Sequence, residues 1–313
     1  MNNLSLRTPI IYCLIITITL LITFWSWLLP SFINTYGILI SFIFIVGIGI
    51  PHGATDHLVF NYLFRDKLCM IYKVKFYLFY IFLALIYVIS WYLFPTFSLA
   101  AFIIISVYHL GQSNLFYLSL PKNKIIKTLI YSSWGLFVIF APIISNSKEV
   151  IAILKTFLDE SWIINIENQE YLLALIVFSN FLILSILFVF KYLTKQELLR
   201  EILNLTVLSL LFYTAPLMVS FGVYFGLWHS LGSSLDQIQF IRKYDLKFDF
   251  ANFYIKSIPL TLISITAFIL SYLFLVHFNY SQQDINITIS WFFIGLAAIT
   301  LPHTIIRDRL YIN

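Results

Sequence analysis

From Pro9 to Leu29 the chain carries 21 consecutive residues without a charge, and runs of this kind recur along its length. A helix that crosses the hydrocarbon core of a bilayer needs about 20 such residues. The pattern therefore predicts an all-α, polytopic integral membrane helical bundle. Composition agrees: 61% of the 313 residues are hydrophobic, 11% are charged and the mean hydropathy is +0.92. Soluble domains hold about 25% charged residues. So few charges cannot cover a water-facing surface, which excludes a soluble enzyme, a disordered chain and a nucleic-acid-binding module.

The clear spans cover residues 9–29, 34–50 (continuing through Pro51 towards 64), 76–94, 97–118, 126–145, 171–190, 258–278 and 286–306. The stretch 201–241 is apolar for about 40 residues with Pro216 near its middle. It reads as one kinked helix or as two spans hinged at Ala215-Pro216. The distribution of Lys and Arg decides, because cytoplasmic loops carry the excess of positive charge. Two spans there give ten in all, both termini cytoplasmic, and 17 of the 19 basic residues inside. Lys148 and Lys155 then lie outside, with Glu149, Asp159, Glu160, Glu167 and Glu170. A single span would divide the basic residues 11 to 8, so ten spans is the expectation.

The first residues, MNNLSLRT, carry Arg7 ahead of the first apolar run, and no small-x-small cleavage site follows. Ile10 to Leu29 is therefore expected to be a retained helix. Cys13 and Cys69 are far apart and in no metal-type spacing. No repeat, linker or composition break divides the chain, so residues 1–313 read as one integral membrane domain.

Ionisable groups within spans are costly, and each needs a reason. Span two carries His52, Asp56 and His57 in the run Gly47-Ile-Gly-Ile-Pro-His-Gly-Ala-Thr-Asp-His. Span four carries His109, span eight His229 and Asp236, and span ten His303. His277 falls at the outer end of span nine. In this topology His52, His109 and His229 lie at similar depth, and His303 lies nearer the cytoplasm. Asp56 is four residues after His52 and Asp236 seven after His229, spacings that share a helical face. Neutral imidazoles at one depth suggest a metal site for iron, copper, zinc or nickel. Carboxylates beside them suit the task of accepting a ligand's second ring N–H. Gly47, Gly49, Gly53, Gly111 and Gly232 are expected to permit close helix approach. Aromatic residues make up 19% of the chain, compatible with a cavity for a long, flat apolar molecule.

The runs Pro51-His-Gly-Ala-Thr-Asp-His57, Tyr108-His-Leu-Gly-Gln-Ser113, Trp228-His-Ser-Leu231 and Leu301-Pro-His303 resemble the Brp/Blh family of bacterial and archaeal β-carotene 15,15'-dioxygenases. The resemblance covers nearly the whole chain. It implies a non-haem Fe(II) enzyme in a bacterial or archaeal cell (inner) membrane that cleaves β-carotene with O2 at the central double bond to give retinal. A retinal-binding rhodopsin is the implied downstream partner. The implied iron ligands and catalytic residues are His52, His109 and His229, plus a residue four positions after the Trp-His-Ser histidine.

That last position is Ser233 here, where the family pattern has histidine. A hydroxyl is a poor iron ligand beside imidazole, although three protein ligands suffice to hold a catalytic iron. Asp56, His57, Ser233, Asp236 and His303 are candidates to support or substitute for ligands. The alternative reading is a catalytically weak or inactive carotenoid or retinal binder. A proton-coupled carrier using Asp56 and the histidines is a third reading, but it lacks the related halves that transporters often show.

Overall fold

The computed structural model describes residues 9–65, 69–159, 169–277 and 285–312. Arg7, Lys67, Glu160 and Glu167, used in the charge count above, lie outside the described residues. The regular structure of the described residues is entirely helical, without strands. The chain forms α1 (Pro9–Leu28), α2 (Pro30–Phe44), α3 (Ile50–Gly53), α4 (Asp56–Leu63), α5 (Met70–Leu93), α6 (Pro95–Leu115), α7 (Lys124–Ser145), α8 (Ser147–Leu154), α9 (Glu170–Val189), α10 (Lys195–Thr214), α11 (Leu217–Val223), α12 (Gly232–Arg242), α13 (Phe250–His277) and α14 (Ile285–Ile312). π-helical stretches at Ile45–Gly49 and Tyr224–Leu231 join α2 to α3 and α11 to α12.

Eight helical stretches among the described residues are long and apolar enough to span a bilayer. The second of them runs from Pro30 to Leu63. Their outer surfaces leave no doubt about the solvent. In the stretch Phe250–Phe274 only 6% of the residues in its apolar window are buried, and in Met70–Leu93 17%. Large side chains such as Trp27, Ile81, Phe178 and Leu262 are exposed. Surfaces this apolar are stable against lipid, not water. The protein is a polytopic helical membrane protein.

Local chemistry sets the helix ends. Pro30 and Pro95 begin α2 and α6, where the missing N–H costs nothing. Asn123 accepts from the backbone of Ile125 and Ile126 to start α7. Thr194 and Glu197 form a reciprocal capping box at α10. The expected hinge is present. Ala215, held extended (φ −96°, ψ 145°) by the proline after it, ends α10, and α11 begins at Leu217. The two helical stretches Lys195–Thr214 and Leu217–Arg242 occupy the sites expected for spans seven and eight, yet they are not among the eight. Charged and polar side chains such as Lys195, Glu197, Arg200, Glu201 and Asp236 dilute their apolar character.

Packing divides the chain into two compact units, each assembled from three separate stretches. The first comprises Met1–Ile48, Ser106–Val150 and Asn165–Ser233. In it α7 packs on α9 and α10, α1 on α10, and α11 on α2. Its core includes Trp134, Phe137, Leu208, Leu211 and Phe212. The second comprises Gly49–Ile105, Ile151–Ile164 and Ser234–Asn313, where α14 packs on α4 and α5, and α13 on α3. Its apolar clusters centre on Val59, Ile241 and Phe253, and on Trp91 and Ala297.

The glycine expectation holds in part. A Cβ on Gly111 would lie 1.7 Å from the Tyr131 carbonyl oxygen, and one on Gly135 1.7 Å from that of Val107. The α6 and α7 backbones therefore touch. Gly47 and Gly53 have nothing within 4 Å of such a Cβ, so they bring no helix closer. Cys13 and Cys69 are both free and exposed.

Candidate metal centre

In the second unit the span carrying His52 does not run through as one α-helix. It changes to a π-helical turn at Ile45–Gly49, resumes as α3, and breaks at Ala54-Thr55 before α4. The break is closed by side chains. The Thr55 hydroxyl lies 2.7 Å from the carbonyl of His52 and 2.5 Å from the side-chain amide of Gln237. His52, Thr55 and Asp56 are all buried.

The break alters the pairing expected from sequence spacing. The Asp56 carboxylate meets Nδ1 of His303, 2.8 Å from Oδ2 and 3.0 Å from Oδ1. The Tyr80 hydroxyl donates to the same carboxylate at 3.0 Å. In its ionised form the carboxylate only accepts, which would put the His303 proton on Nδ1 and leave Nε2 as the basic nitrogen. The rings of His52 and His303 stand edge to face, 4.9 Å apart, with ring nitrogens within 4.8 Å. The His303 ring thus lies beside that of His52. Nδ1 of His52 lies 3.4 Å from the Ser234 hydroxyl.

The first unit holds a second pair. His109 on α6 and His229 in the π-helical stretch are both buried, their rings edge to face with centroids 5.1 Å apart. Phe225 stacks on the His229 ring at 5.7 Å. The Ser113 hydroxyl is 3.0 Å from Nδ1 of His229. The next residue back, Trp228, donates its indole N–H to Thr19 of α1 at 3.0 Å, which anchors the π-helical stretch.

The remaining candidates divide. His57 is half-buried and its Nδ1 meets the Ala54 carbonyl at 2.9 Å, making it part of the turn. Asp236 and Ser233 are buried on α12, 5% and 1% exposed. The Ser113 hydroxyl stands at Nδ1 of His229. The π-helical stretch Tyr224–Leu231 changes the face on which a residue seven positions later emerges. His277 is exposed at the end of α13.

Sequence reasoning missed several polar contacts. Tyr80 sits in an apolar run that gives no hint of its bond to Asp56. Ser113 and Thr55 stood inside the quoted motifs without a role. Glu201, at the edge of the ambiguous stretch, is a third buried carboxylate. It accepts from Tyr117 and, at 3.0 Å, from Asn204, which in turn accepts from Tyr12 at 2.7 Å. That chain ties α1, the end of α6 and α10 together.

Each unit thus presents two buried imidazoles in ring contact, at least one of each pair tethered at Nδ1 by an oxygen. Buried imidazoles tethered in this way suit a transition metal. A family model for beta-carotene 15,15'-dioxygenase matches residues 43–311.

The chain belongs to the beta-carotene 15,15'-dioxygenase family.

The match takes in His52, His109, His229, His303 and Ser233 and leaves α1 outside. Family membership makes this a carotenoid dioxygenase-like protein. No curated protein and no solved structure matches the chain.

Proposed function

We propose that the protein is a non-haem Fe(II) dioxygenase that cleaves β-carotene, or a related carotenoid, at its central double bond to give retinal. The observation that carries this reading is the pair of tethered histidine couples in a chain of this family. His52, His109 and His229 would hold the iron. His303, ordered by Asp56, is the candidate to supply the imidazole that position 233 lacks. Bound there, iron supplies the redox activation of O2 that a closed-shell ion such as zinc does not.

The protein residues order the rest. Asp56 and Ser113 orient two imidazoles through Nδ1, so that Nε2 is presented. Burial of the four histidines, 2–7% exposed, keeps bulk water from a reaction whose products are aldehydes. The carbon–carbon double bond breaks and each half takes one oxygen atom of O2, so the overall reaction needs no external reductant. The carotenoid enters from the lipid phase of a bacterial or archaeal inner membrane. A rhodopsin is the natural recipient of the retinal. Neither unit is a continuous stretch of chain, which supports reading residues 1–313 as one domain.

A second reading rests on Ser233, which is buried and takes the place of an expected ligand. It makes the protein a carotenoid or retinal binder without turnover. One experiment separates the two. Wild type, His109→Ala and Ser233→His are expressed in a bacterial host that makes β-carotene, and retinal is measured by chromatography. The oxygenase reading expects retinal from wild type and none from His109→Ala at equal membrane insertion. Retinal from Ser233→His alone would establish the binder reading. Activity retained by His109→Ala would overturn the ligand assignment.

A further inference from the structure

The His229 ring has little freedom of plane. Phe225 stacks on it at 5.7 Å with 27° between the planes, and His109 meets it edge to face. Within that plane two choices remain: which nitrogen points to Ser113, and which nitrogen carries the proton. Nδ1 points toward Ser113. On the Ser113 side, the hydroxyl has one hydrogen to give and can also accept.

Ser113 has two neighbours at hydrogen-bond distance. Its Oγ is 3.0 Å from Nδ1 of His229 and 3.2 Å from the Leu110 carbonyl oxygen one turn back. If the hydroxyl donates to Nδ1, the imidazole proton moves to Nε2, and that nitrogen ceases to be a ligand. If the hydroxyl donates to Leu110, its lone pair accepts the Nδ1 proton. The second arrangement forms a continuous chain, Nδ1–H to Oγ–H to carbonyl, in which each bond polarises the next. Ser113 is 2% exposed, so no competing bulk water disturbs the choice.

We infer that Ser113 is a positioning residue that accepts the Nδ1 proton of His229 and thereby fixes its Nε2 as the basic nitrogen. The inference rests on the proposed function for its consequence, since a fixed Nε2 matters because a metal is to be held there. It assigns to a neutral hydroxyl on His229 the task that the Asp56 carboxylate performs on His303. Orienting partners of this kind typically change metal affinity or activity by about 10- to 100-fold when removed.

The test has a readout independent of iron. Apoprotein labelled with 15N-histidine is studied by solid-state NMR, with the His229 signal identified by its loss in His229→Gln. Protonation at Nδ1 in wild type is expected; protonation at Nε2 overturns the inference, whatever iron does. Ser113→Ala is expected to lose the single-tautomer signal and to release Fe(II) to a chelator with an affinity about 10- to 100-fold weaker. Ser113→Thr, which keeps the hydroxyl, is expected to restore both. Ser113→Ala with unchanged tautomer and unchanged iron retention would also sink it. If wild type shows the Nδ1 proton but holds no iron, the tautomer assignment stands and the iron reading falls. Thermal melting and gel filtration of each variant separate these effects from misfolding.

Discussion

The Asp56 carboxylate receives Tyr80 and His303 through distances of 2.8 to 3.0 Å, with Asp56 and His303 both buried. Its value to the site lies in being an acceptor only. Asparagine at this position keeps the size but brings two N–H donors, and turning its amide toward Nδ1 would select the opposite His303 tautomer. Asp56→Asn is therefore expected to keep the helical circular dichroism and membrane insertion of wild type. Retinal formation and iron retention should fall by about 10- to 100-fold. Unaltered iron retention in this variant would show that the Asp56 carboxylate is not needed to orient His303. At this scale the sequence was a partial guide. It singled out Asp56 and the histidines, because a charge in an apolar run stands out. It paired Asp56 with His52 by counting along an unbroken helix, and the turn at Ala54-Thr55 breaks that count.

Elements meet where small residues allow their backbones to touch. On α6, Gly111 packs against the α7 backbone at Tyr131, while Gly135 on α7 packs against α6 at Val107. His109 stands two residues before Gly111, so the crossing also fixes the height of that imidazole. A methyl group at Gly111 has backbone and not a flexible side chain in front of it, so the helices must separate. Gly111→Ala is expected to cost about 1–3 kcal/mol or more, as overpacking does, and to lower the melting temperature in detergent together with retinal formation. Gly53→Ala is the control. Open space surrounds its added Cβ, and its stability should stay within about 0.5 kcal/mol of wild type. Equal melting temperatures for the two variants would show that the α6–α7 contact does not limit stability. The ends of these elements were legible, since proline and capping side chains act through neighbours in sequence. The π-helical stretches at Ile45–Gly49 and Tyr224–Leu231 were not, because no residue type marks them.

For the whole molecule the distribution of charge carries an orientation. Lys148 lies on α8 and Lys243 just after α12, and both are exposed. The ten-span topology expected from the positive-inside rule would place Lys148 outside the cell and Lys243 within it. With exposed Cys13 and Cys69 replaced by serine, Lys148→Cys should react with a membrane-impermeant maleimide in intact cells. Lys243→Cys should react only after permeabilisation. The opposite labelling pattern would reverse the topology, and labelling of both in intact cells would remove one or more of the ten spans. This measurement also tests for a single crossing between Lys195 and Arg242, since one crossing would put Lys243 outside whereas two crossings or none leave it inside.

The all-helical class, the membrane as solvent, the hinge at Pro216 and the family were all present in the linear order of residues. Each depends on a local quantity: the length of an uncharged run, the missing N–H of a proline, or a short motif. The tertiary structure alone decided which polar groups meet. Asp56 and His303 are 247 positions apart, and Ser113 and His229 are 116 apart. No periodicity links residues on different helices. Their meeting is set by how those helices pack and by the breaks and π-helical turns that rotate one face against the next, and these emerge only when the apolar surfaces have been buried together.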